Sequence, residues 1–283
     1  LKPCRPRPGP GPAARPGPAM SVLTYWERLS EGGAELRADR GFVLEAVRDE
    51  GVTLQFAVEE LRNDVEVVLA AIEQDSAALM FASDELKRDP KVVAAAVAQS
   101  GKALEMADES LRSDRALVLE AVKKDGLMLR LAAEELQKDR EVVMAAVKQD
   151  GDALEIADEA FRKDKEVVIV AVQCNGSLLE MASEDLRADK EVVAAAIKYD
   201  GLALEFASEA LRADKELVLA AIKQHGCALE FACEDFRKDR AIVKEAVNRT
   251  PKALLYALDG LRDDDELEEF ARDVRCRIQQ EGR

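Results

Sequence analysis

The sequence predicts an all-α fold, an α-solenoid of ten tandem 25-residue helix-turn-helix units with polar terminal caps. Three observations predict it. The tetrapeptide Leu-Arg-Ala-Asp at Leu36 returns in related form at Leu61, Leu86, Leu111, Leu136, Phe161, Leu186, Leu211, Phe236 and Leu261, always 25 residues on. Between these corners the apolar residues recur at helical spacing, and in the last copy they give way to charge. A fixed period of this length marks a stacked unit that buries its apolar face only against its neighbours.

Numbering each unit from the corner Leu or Phe, position 4 is Asp in every copy: Asp39, Asp64, Asp89, Asp114, Asp139, Asp164, Asp189, Asp214, Asp239 and Asp264. Each precedes a run with a helical apolar stripe, so each is expected to be an N-cap, its carboxylate accepting the free amides of the first turn. Pro90, directly after Asp89, suits the first helical position, where a missing amide proton costs nothing. Position 8 is Val from Val43 to Val243, position 11 is Ala from Ala46 to Ala246, and position 12 is Val or Ile. With position 7 they form one stripe. Position 16 is Gly in seven of nine full units, Ser76 and Pro251 being the exceptions. The expectation there is a left-handed helix stop.

A second helix follows, as in GLALEFASEALRAD from Gly201. Position 19 is Leu and position 22 is Ala throughout, and position 21 is larger, as in Phe206, Met181 and Tyr256. Small residues let helices approach while the larger ones fill the remaining space. Ser at position 23 opens the alternative that this helix is broken. Helices this short are unstable alone, so neighbouring units must support one another.

Residues 264–283 read as a C-terminal capping helix: Leu267, Phe270 and Ala271 keep the stripe, while positions 8 and 12 become Glu268 and Arg272. Those two positions therefore face the next unit, which the last copy lacks. Residues 21–35 read as an N-terminal cap, a degenerate second helix anchored by Trp26, and residues 36–263 as the array itself. Residues 1–20, rich in Pro, Gly and Arg, read as a disordered tail.

Only 4% of residues are aromatic and 48% are hydrophobic, which suits many small helix contacts. Lys2, Arg5, Arg7 and Arg15 stand in the tail without an acid, so the remaining chain carries 37 basic against 57 acidic residues, a net −20. Such a body repels nucleic acid and anionic membrane, and neither is expected as a partner. Five cysteines at irregular spacing argue for a reducing compartment, and no stretch reaches the length of a membrane span. An intracellular, cytoplasmic location is the expectation.

Acids at position 24 precede basic residues at position 2 by one helical turn, which suggests a stacked charge ladder. Its members would be Glu59, Glu109, Glu159, Glu184, Glu209 and Glu234 with Arg62, Arg112, Arg162, Arg187, Arg212 and Arg237. A ligand groove lined by these Arg residues is the competing reading, and it requires unpaired guanidinium groups. His225, Cys227 and Cys233 lack the number and spacing of zinc ligands. No nucleophile elbow, phosphate loop or dinucleotide fingerprint occurs. The same residues recur in every unit, so no unique catalytic constellation, cofactor or metal is expected.

The pattern Leu-Arg-x-Asp-Lys-Glu-Val-Val-x-Ala-Ala-Val, followed by Asp-Gly-x-Ala-Leu-Glu-Phe-Ala-Ser-Glu, resembles the tandem repeats grouped as domain of unknown function 4116. The likeness runs from about Leu36 to Asp264. It implies a helical array and a protist or algal source, and it carries over no catalytic residue. The functional expectation is a non-catalytic scaffold with an extended surface for an unidentified protein partner, whose adhesive positions are those that vary most, 3, 9, 13, 14 and 17. The alternative is an architectural spacer or regulatory array of a larger protein.

Overall fold

A computed structural model of the chain describes residues 24–281. The stretch read as a tail, residues 1–20, lies outside them. The described residues are helical without strands. Every substantial contact joins elements of the same or of successive units. No helix among them is long and apolar enough to cross a membrane.

Each unit holds three helical segments, not two. In the unit from Leu186 these are an α-helix Lys190–Tyr199, a 3₁₀ segment Gly201–Phe206 and a short α-helix Glu209–Arg212. The second helix, whose continuity the sequence leaves open, is broken: Ala207 is extended (φ −69°, ψ 153°). A specific bond accompanies the break: the Ser208 amide donates to the Arg187 carbonyl of the preceding corner at 2.9 Å, not to the residue four back. The same rung recurs in all nine full units, from Val58 to Arg37 through Leu258 to Arg237. Main-chain groups that a longer helix would pair internally thus tie one corner to the next.

The first helix also ends differently from the expectation. No position-16 glycine has a positive φ; among the described residues only Asp259 and Gly260 do. The stop is at position 15, which is extended. The Asp200 amide still donates to the Ala196 carbonyl at 2.9 Å, while the Asp200 carboxylate accepts the Leu202 amide at 2.9 Å. One residue closes the α-helix and caps the 3₁₀ segment. Glycine follows because the next unit is close: a Cβ on Gly126 would stand 2.5 Å from the Ala146 carbonyl oxygen, and one on Gly201 equally near that of Ala221. Absence of a side chain, not left-handed backbone, is what the site requires.

The stacked units share one continuous core, with positions 7, 8, 11, 12, 18, 19 and 22 buried along most of its length. Burying a Val or Leu side chain contributes about 1.5–3 kcal/mol, and the row repeats at every joint. At the C-terminal end the helix Asp265–Glu281 keeps Leu267, Ala271 and Val274 buried. Glu268 and Arg272 there are 47% and 70% exposed and pair with each other at 2.9 Å. At the front, the helix Tyr25–Ser30 starts with a Thr24–Glu27 capping box. Its anchor is Leu29, fully buried and 25 residues before Leu54, and not Trp26, which is 36% exposed and packs edge-on against Phe56.

Candidate functional site

All ten corner aspartates accept amide hydrogen bonds from the first turn of the helix they precede. Asp139, for example, accepts from Glu141 at 2.9 Å and from Val142 at 3.2 Å. The carboxylate's other oxygen faces the preceding unit, where it accepts from Arg115 Nε at 2.8 Å. That guanidinium holds the Asp139 carboxyl below its usual range, and the helix amides lower it further. Asp64, Asp164, Asp189, Asp214 and Asp264 are lowered in the same way by Arg40, Arg140, Lys165, Lys190 and Arg240.

The charge ladder therefore exists, but between other residues than those expected. A cation at position 5 bridges the next unit's Asp at position 4 and Glu at position 6. The six bridging cations are Arg40, Arg115, Arg140, Lys165, Lys190 and Arg240. Val65 and Pro90 interrupt the row, and Lys215, opposite a unit with Ala241 at position 6, forms no ion pair among the described residues. Sequence reasoning missed it because the partners lie 24 and 26 residues apart, outside any helical neighbourhood. A signal was present: position 5 is basic in seven of nine full units, and the acids one period away are as regular.

Of the pairs expected to build the ladder, only Arg162 and Glu159 come within ion-pair range, at 3.8 Å. The Arg side chain instead turns in between successive 3₁₀ segments, where main-chain carbonyls are left over. Arg237 Nε donates to the Tyr256 carbonyl at 2.9 Å, Arg37 to those of Leu29 and Ser30, and Gln137 to that of Ala132 at 3.0 Å. Arg62, Arg112, Arg162, Arg187 and Arg212 bury Nε without a hydrogen-bond partner. Glu59, Glu109, Glu184 and Glu209 form no ion pair among the described residues, and Glu234 pairs with Lys238 at 3.2 Å. Burial at the carboxyl ends of the 3₁₀ segments, where partial negative charge collects, draws the guanidinium away from the exposed acid.

Of the variable positions, the fold brings 9, 13 and 14 onto one face of the long helices and leaves 3 at the corners and 17 on the 3₁₀ segments. Grooves open between successive long helices on that face. One of about 820 Å³ is lined by Leu119, Lys123, Met144 and Lys148 among others. Lys124, Tyr199 and Gln224 project from the same face. His225 begins a 3₁₀ segment without a capping bond, and no group of three or more His, Cys, Asp and Glu among the described residues is placed to hold a metal ion.

No curated protein and no solved structure matches the chain. A family model described as Domain of unknown function (DUF4116) matches residues 39–87, 66–112, 89–137, 114–162, 164–212 and 214–262. Five of these six matches start on a capping aspartate and run through two 25-residue units, so the family's module is a pair of the units described above. The chain belongs to the DUF4116 family, as a tandem array of its helical repeats.

Proposed function

We propose that this chain is a non-catalytic helical-repeat scaffold presenting an extended surface for protein–protein interaction. One observation carries the reading. Capping, ion-pair and core residues recur from unit to unit, whereas the residues that vary at positions 9, 13 and 14 lie on the side of the long helices turned away from the core. Uniform interiors with variable faces are how stacked repeats build long binding surfaces. The acidic body favours a protein over nucleic acid as the partner. Affinity capture on the full chain tests the proposal. The expected result is a discrete set of proteins held at near-stoichiometric amounts through about 300 mM salt, where exposed charge attraction is largely screened. A set indistinguishable from that on an unrelated acidic protein rejects it.

A further inference from the structure

Two parallel rows on the long-helix face go beyond a generic surface. The first is apolar: Leu119, Met144, Ile169 and Leu219, all at position 9, pack against the core and remain only partly buried, with Ala194 interrupting the row. The second lies one helical turn on, at position 13, and consists of Lys123, Lys148, Lys198 and Lys223, all exposed. Unit 161 interrupts it with Gln173. Lys148, Lys198 and Lys223 have no ion-pair partner among the described residues, although the chain carries 57 acids. The cations of position 5, at the other end of the same helices, are mostly held between two carboxylates each. A lysine in the last turn complements the helix dipole. That does not explain why large apolar side chains stay only partly covered beside it in three successive units and again at Leu219.

We infer that this face binds an acidic amphipathic helix of a partner protein, laid across the long helices with its apolar stripe on the position-9 row and its carboxylates on the position-13 row. The inference rests on the scaffold reading and names the site and partner class within it. Geometry selects a helix over a strand. Four residues along a helix span about 6 Å, so the two rows lie about that far apart, and a helix of about 10 Å diameter reaches both with adjacent stripes. A strand sends alternate side chains to opposite faces and presents one row to a surface. Successive long helices pack about 8–10 Å apart, which a partner helix covers in about five to seven residues, so its contacts recur about once every two turns, close to a heptad. Charge decides the sign: unpaired lysines on an otherwise acidic body attract an acidic segment and repel a basic one.

The test uses the full chain and a synthetic peptide of about 21 residues with Leu once per heptad and Glu beside it, read by fluorescence anisotropy. Controls are a scrambled peptide and one with Lys in place of Glu. The acidic helix should bind, more weakly as salt rises. The combined variant Lys123→Glu, Lys148→Glu, Lys198→Glu, Lys223→Glu should lose on the order of tenfold in affinity, because four attractive pairs become repulsive. Reversal on the 3₁₀ side, Glu155→Lys, Glu180→Lys, Glu205→Lys, should leave affinity unchanged. Equal affinity for the scrambled peptide, or an unaffected lysine variant, overturns the inference. Should the combined variant fail to fold, carbodiimide cross-linking of the peptide to the wild-type chain substitutes: products at these lysines support the site, and products only elsewhere overturn it. In lysate capture, partners held equally by wild type and the lysine variant overturn this site and leave the scaffold reading standing. No stoichiometric partner on wild type overturns the scaffold reading itself.

Discussion

Two residue types set the joints, each by one physical demand. At position 16 the demand is space. Gly126→Ala places a methyl 2.5 Å from the Ala146 carbonyl oxygen, so the neighbouring unit must shift. The expected cost is about 1–3 kcal/mol in urea melts. Gly260→Ala is the control, since nothing lies within 4 Å of a Cβ there and its φ is +78°; its cost is the left-handed strain alone, about 1–2 kcal/mol. A null result at Gly126 refutes the close-approach account. At position 4 the demand is charge. Asp139→Ala removes the oxygen that accepts two amide hydrogen bonds and the Arg115 bridge, and a loss of about 1–2 kcal/mol is expected. Because the folded state holds Asp139 and its counterparts below the ordinary value of 3.8, their contribution is complete above that value and disappears as pH falls through the lowered one. Melting midpoints should therefore fall on acidification below about pH 4, and less steeply in Asp139→Ala. A midpoint independent of pH down to 3 would contradict the bridged-cap geometry.

At the scale of elements, what could be read from sequence was whatever depends on neighbours along the chain. Asp139 is legible as a cap because its acceptors' partners are two and three residues away. The stripe through Val168 is legible because 3.6-residue periodicity fixes it, and its direction because Glu268 and Arg272, exposed on the helix Asp265–Glu281, replace the same positions. What depends on the lateral offset between units was not legible. Arg187 and Glu184 have helical spacing, yet the corner's burial turns Arg187 inward, and the ladder instead joins Lys190 to Asp214 and Glu216. The break beside Ala207 was open as an alternative from Ser208, but the sequence did not decide it, since the deciding bond is to the Arg187 carbonyl in the previous corner. A prediction tests the legible part. Val168 is fully buried at a joint. Val168→Glu should cost at least about 3 kcal/mol and split thermal unfolding into two transitions, because an uncompensated buried charge severs nearest-neighbour coupling. Glu268→Val, on an exposed end, should leave the profile single. A single unchanged transition in Val168→Glu would show that position 8 does not form the joint.

For the whole molecule, the recurring bonds between units link equivalent positions, so the array should tolerate the loss of one period and no other length. Excising residues 164–188 joins Lys163 to Asp189. Arg140 then meets Asp189 and Glu191 in place of Asp164 and Glu166, the Arg162 carbonyl receives the Ser208 amide, and Gly151 meets the Ala196 carbonyl where it met that of Ala171. No apolar face is newly exposed, because each long helix regains a neighbour of the same pattern. Excising residues 164–175 instead sets a 3₁₀ segment where a long helix is needed, leaves Arg140 without its bridge, and exposes the stripe through Val143. In a chain stabilised by nearest-neighbour terms, the first deletion removes one unit and one interface, whereas the second breaks the coupling at its centre. Circular dichroism should give the same helicity per residue and one cooperative transition for the full-period deletion, its midpoint lowered by about 2–4 °C per kcal/mol lost. The half-period deletion should lose helicity and unfold in a broad transition. Equal behaviour of the two would mean that the contacts between units are not what holds the molecule together.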